Sequence, residues 1–175
     1  MEKKLRKWSI IGVFVVFLIG AGWHFLYDLL PCGIIAGIAL VNESPWEHAK
    51  LFFVPAIIWY VIMYFIVGKE FPNYIFSHAV ALLFMPVFML LLFYAYQTLL
   101  EETLPLDITN SFVTIALGQL IAYKLTTSNL KLSGPGYKTA AMAIIFGMLV
   151  VYIVFTFNPP HCGLFLDKTT MQYGI

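Results

Sequence analysis

The stretch VNESPWEHAKLFFVPAIIWYVIMYFIVGK, residues 41–69, decides the fold. Ser44 is a good helix N-cap, Pro45 suits the first helical position, and Glu47 completes an S-x-x-E capping box. Behind this start runs an apolar segment of about 20 residues, the length a helix needs to cross hydrocarbon. The same start places Glu43, Glu47, His48 and Lys50 where charge is expensive. Either these residues only open a helix at the water interface, or they form half of a binding site.

The rest of the chain agrees with a membrane setting. Of its 175 residues 61% are hydrophobic and 11% charged, against about 25% charged in soluble domains. Net charge is +1, and no basic stripe points to nucleic acid. The segment MEKKLRKWSIIGVFVVFLIGAGWHFLYD has a basic start and an apolar run too long for a signal sequence, with no small-x-small cleavage pattern. It reads as a retained first span.

The fold class expected is therefore all-α, a single-domain polytopic bundle over residues 1–175 with spans near 8–29, 46–67, 73–98, 108–124 and 139–157. Pro55 and Pro86 fall inside the second and third spans and should kink them. The fourth carries Asn110, Ser111, Thr114 and Gln119, so one side of it should face protein or water. With the N-terminus in the cytoplasm, Lys3, Lys4, Arg6, Lys7, Lys69, Lys124, Lys131 and Lys138 lie inside, and only Lys50 and Lys168 outside. Asp28, Glu43, Glu47, Glu101, Glu102, Asp107 and Asp167 map to the outer side, where an odd number of spans also puts the C-terminus.

His24, His48 and His161 and both cysteines fall on that outer side too, with His78 alone near the inner end of the third span, expected as a satisfied polar contact with Ser77 or a loop carbonyl. His24 and Asp28, four residues apart, share a helix face. Glu43 and His48 flank the cap where a hydrophobic staple would pair two apolar residues, so a carboxylate meets an imidazole. Helix capping alone can account for Glu47, with a role in the cluster as the alternative, while Lys50 reads as an interfacial anchor that snorkels outward. If the cluster converges, the metal ligands are His24, His48, His161 and Asp28, a set suited to zinc or another divalent ion. The catalytic candidates are Asp28, Glu43 and Glu47. Neither H-E-x-x-H nor paired C-x-x-C motifs are present, so this rests on convergence.

The apolar link LLPCGIIAGIALVNES is expected to lie on the surface or re-enter, roofing the site. Cys32 and Cys162, both mapped outside, are read as a disulfide, with thiolate ligation as the rival reading.

HFLYD, N-E-S-x-W-E-H and the tail P-P-x-x-x-L-F-x-D-x-x-T-x-x-Y-G-I resemble a bacterial family of small integral membrane proteins of unknown function. The likeness covers nearly the whole chain. It implies a five-span fold in the cytoplasmic membrane and assigns no reaction; the two cysteines stand outside its pattern. His24, Asp28, Asn42, Glu43, Glu47, His48, His161 and Asp167 are the family-like polar residues.

Three functions remain open. One is a metal-dependent or acid–base enzyme acting on a membrane lipid or other amphiphile. Another is a non-enzymatic protein that binds a metal or small ligand. The third is a transporter or channel subunit, acting as a homo-oligomer. A bis-histidine haem on His24 and His48 lacks an attachment motif.

Overall fold

The structure is a computed structural model that describes residues 1–100 and 103–175; the outer placement of Glu101 and Glu102 lies outside the described residues. Among the described residues five helices are long and apolar enough to cross a membrane: α1 (Glu2–Trp23), α4 (Pro45–Ile66), α5 (Tyr74–Gln97), α6 (Leu104–Thr126) and α7 (Pro135–Phe157). Two short helices, α2 (Leu26–Leu29) and α3 (Gly33–Ile38), occupy the apolar link between α1 and α4. The first span thus begins earlier than the sequence suggests and breaks before Asp28, at the turn after Trp23. The chain ends in a small antiparallel hairpin, β1 (Leu166–Asp167) with β2 (Gln172–Tyr173), which the all-α expectation did not contain.

Local chemistry starts α4 as the sequence indicates. Ser44 Oγ accepts the Glu47 amide at 3.3 Å and Pro45 takes the first turn. The reciprocal half of the capping box does not form, because the Ser44 amide donates to Asn42 Oδ1 at 2.9 Å and the Glu47 carboxylate turns inward. Pro55 cannot donate to the carbonyl of Leu51. That carbonyl faces Gly20 of α1, where a Cβ would stand 3.1 Å away, so a small residue admits the neighbouring helix.

The bundle packs by the same device elsewhere. A Cβ on Gly118 of α6 would meet Met85 Cγ of α5 at 2.4 Å. About two turns earlier on α6 Asn110 donates to the Met89 carbonyl at 3.1 Å, and Thr114 to Asn110 Oδ1 at 3.2 Å. Asn110, Thr114 and Gln119 are buried, so the polar face of the fourth span is turned to protein. Phe53, Ala56, Trp59, Met63, Leu82, Met85 and Ile115 form the centre of the core. At the far end Asn73, just before α5, holds the loop between α6 and α7, donating to the carbonyls of Ser128 and Leu130 and accepting from the Leu132 amide.

Candidate functional site

At the end where α1 finishes and α4 starts, three side chains meet. His24 follows the last turn of α1, Glu43 precedes the cap of α4, and His48 lies in its first turn. Glu43 Oε2 is 3.4 Å from His48 Nε2 and 3.7 Å from His24 Nε2. One ligand atom from each lies within 4.8 Å of the other two, so the triad can hold a metal ion. The two imidazoles meet edge to face, 5.6 Å between centroids.

His48 Nδ1 lies 3.0 Å from the Ser44 carbonyl oxygen, which can only accept. Nδ1 therefore carries the proton, and in the neutral ring Nε2 presents its lone pair to Glu43. Burial lowers the pKa of His24 below its ordinary 6.5, against the raising effect of Glu43. The neutral, ligating form is favoured there.

The sequence motif around the triad is explained contact by contact. Asn42 Nδ2 donates to the Gly174 carbonyl at 2.7 Å, and the Trp46 amide to the Leu164 carbonyl at 3.0 Å, so the tail is clamped to the start of α4. The Trp46 ring packs on Tyr152, Phe155 and Phe165. Asp167 is buried, which by itself would push its carboxyl up. The amides of Thr169 and Thr170, the Thr170 hydroxyl and the Glu43 amide outweigh that and hold it below the usual carboxylate range. Asp167 thereby fixes the backbone that carries Glu43.

The triad opens on a pocket of about 620 Å³ between α4, α5, α6 and the tail. Asp107, Asn110, Ser111, Lys168 and Thr169 supply its polar wall, and Phe52, Met89, Phe93 and Leu104 its apolar wall. Tyr96 donates its hydroxyl to Asp107 Oδ1. Sequence reasoning did not single out Asp107 or Lys168 for the pocket, because nothing local links residues of α6 and the tail to the first two spans.

Other candidates lie elsewhere. Glu47 does not line the pocket; it is buried with Lys50, Oε2 to Nζ 2.7 Å. Lys50 also donates to the carbonyls of Ala36 at 3.0 Å and Ala39 at 3.1 Å, and contacts Thr156 of α7. Thr156 Oγ1 lies 3.0 Å from Glu47 Oε1 and the Val41 amide donates to Oε2 at 3.2 Å. So Lys50 is not a snorkelling anchor, and α3 roofs this ion pair, packing on α7, instead of the triad. The i, i+3 spacing of Glu47 and Lys50 was the available signal. Asp28 stays near enough to influence His24 but is outside the triad, and His161 stacks on Tyr173 of the hairpin at 4.5 Å. His78 bonds the Tyr74 carbonyl through Nδ1 at 2.8 Å and is stacked on the Tyr74 ring.

The expected disulfide is not formed. Cys32 and Cys162 are free and exposed, one beside α3 and the other in the turn after α7, too far apart to bridge. Neither belongs to the triad, so the thiolate-ligand alternative fails with it.

Five apolar helices and a His/Glu triad at one end define a multi-pass membrane protein with a group able to bind a metal ion. The chain belongs to the DUF6512 family, a family of unknown function, matched over residues 1–175. No curated protein and no solved structure is significantly similar to it.

Proposed function

We propose that His24, Glu43 and His48 hold a divalent metal ion of the zinc class, and that the protein hydrolyses an ester or amide bond in an amphiphile bound in the adjoining pocket. The observation that carries this reading is the spacing of the ligand atoms. A proton shared between imidazole and carboxylate draws them to about 2.7–2.9 Å. The separations here, 3.4 and 3.7 Å, are longer, and the three ligand atoms all lie within 4.8 Å of one another. Two atoms each bound to one tetrahedral zinc at about 2.0–2.1 Å lie about 3.3 Å apart. Three protein ligands with a fourth position open is the pattern of a catalytic zinc, whose contribution is to activate water at neutral pH.

The remaining residues divide the work. Lys168 and Thr169 receive an anionic or hydroxylated head group at the rim, while Phe52, Met89 and Phe93 receive an alkyl chain. Asp107, oriented by Tyr96, is the pocket carboxylate outside the triad, placed to accept or return a proton. The charge distribution supports an N-terminus in the cytoplasm and a pocket facing outward.

Metal analysis and zinc titration of the purified protein test the reading. One ion per chain is expected, lost in His24→Ala, His48→Ala and Glu43→Gln but kept in His161→Ala. Absence of binding in the unsubstituted protein, or retention in all three triad variants, overturns the metal. Hydrolysis of a nitrophenyl ester of a fatty acid in micelles should require both the ion and Asp107. Metal binding without any such turnover, and without effect of Asp107→Asn, would leave a non-enzymatic metal protein.

A further inference from the structure

The opposite end of the bundle carries a second site. A groove of about 430 Å³ runs between α1 and α6, with Arg6 and Lys124 among its basic lining residues and Ser9 and Gln119 in its wall. Ser9 is 5% exposed and Gln119 2%. Among the described residues nothing pairs with Ser9 Oγ or with either polar atom of the Gln119 amide. Buried polar atoms without a partner are costly, and three of them in one groove wall point to polar groups brought by a ligand. Gly12 lets α1 approach here, since a Cβ on it would stand 2.2 Å from Trp59 Nε1 and 2.7 Å from Gln119 Nε2.

The order of groups along the groove identifies the ligand. At 1.5 Å per residue, Ser9 lies about 4.5 Å deeper than Arg6, and Gln119 about 7.5 Å deeper than Lys124. Cations at the water end, a hydroxyl and an amide about one helical turn further in, and apolar side chains beyond follow the build of a glycerophospholipid. Its phosphate sits outermost, its ester oxygens next and its acyl chains deepest. Ile10 and Leu120 of the groove are 56% and 49% exposed, apolar surface turned to the lipid side. The nearby carboxylate, Glu2, accepts from the Tyr123 hydroxyl at 2.9 Å and is not itself a lining residue.

We infer that this groove binds an anionic glycerophospholipid from the leaflet at the basic end. Arg6 and Lys124 hold the phosphate, Ser9 and the Gln119 amide hydrogen-bond the ester oxygens, and the chains run along Ile10 and Leu120. Basic pockets between membrane helices commonly take such head groups. The inference is independent of the metal triad, which lies at the other end of both helices.

Purified protein in a non-ionic detergent would be titrated with dioleoyl phosphatidylglycerol, dioleoyl phosphatidylcholine and inorganic phosphate, read by native mass spectrometry and thermal shift. Two cations should give the anionic lipid a preference of about 30-fold over the zwitterionic one. Arg6→Gln with Lys124→Gln should abolish that preference. Gln119→Leu should weaken both lipids and raise the melting temperature of the lipid-free protein, because it removes an unpaired amide. A purely structural glutamine would do the reverse, lowering that temperature and leaving lipid binding unchanged. If Gln119→Leu does not fold, Ser9→Ala carries the same reading. Equal affinity for the two lipids, a preference that survives loss of both cations, or phosphate binding as tightly as lipid would overturn the site.

Discussion

Lys50→Met should be among the most damaging single substitutions in this chain. Lys50 and Glu47 are each 1% exposed. Their charges meet at 2.7 Å. Removing the ammonium strands a carboxylate in the packed end of the bundle, which costs about 3–5 kcal/mol. It also removes the donor from the Ala36 and Ala39 carbonyls, adding about 1 kcal/mol for each. The total is about 5–7 kcal/mol. Glu47→Leu strands the ammonium and should cost a similar amount. The double variant Glu47→Leu/Lys50→Met leaves no buried charge, so only the two carbonyls and imperfect packing remain, about 2–3 kcal/mol. The assay is a double-mutant cycle of denaturant unfolding in mixed micelles, followed by tryptophan fluorescence. These figures imply a coupling energy of about 7 kcal/mol or more. Single variants that cost under about 1 kcal/mol, or effects that simply add, would refute the reasoning that this pair pins α3 and α7 to α4.

Other outcomes follow from the same geometry. Because burial keeps the His24 pKa below 6.5, the contribution of His24 to zinc affinity should hold as pH falls to that value and be lost below it, as a proton displaces the ion from His24; calorimetric titrations across pH 7.5 to 5 check this. Gly174 has φ 67° and a Cβ there would stand 2.7 Å from the Thr156 carbonyl, so Gly174→Ala should cost about 1–2 kcal/mol and expose the tail to limited proteolysis. Thiol titration of the unreduced, denatured protein should find two free groups per chain, and one missing pair would restore the disulfide. In a background with Cys32 and Cys162 replaced by serine, cysteines placed at Lys131 and Met171 should label from opposite sides of the membrane; labelling from one side would end the assignment of an inner N-terminus and outer tail.

What could be read from the chain alone was whatever depends on neighbours in sequence. Span length answers to bilayer thickness, and Ser44 and Pro45 act within one turn, so α4 starts where its residues say. The buried polar side of α6 was legible for the same reason: Asn110 and Thr114 in an apolar run must find protein, whichever helix supplies it. The pairing of Glu43 with His48 also came from a local motif, the residues that flank a cap. The hairpin was not legible, since Asp167 folds its own turn in a segment with no strand pattern.

Only the packing of helices decided the roles of Glu47, Asp28, His161 and the cysteines. Successive residues on a helix point about 100° apart, so Glu47 and His48 must face different partners. Which of them met His24 depended on the side from which α1 approached. That approach placed His48 beside His24 and turned Glu47 toward Lys50, α3 and α7. The charge map assigned every polar residue of that end to one list, but such a map speaks to depth and leaves azimuth free. The distances that separate the triad from His161, and Cys32 from Cys162, lie in that free coordinate, which belongs to the bundle as a whole.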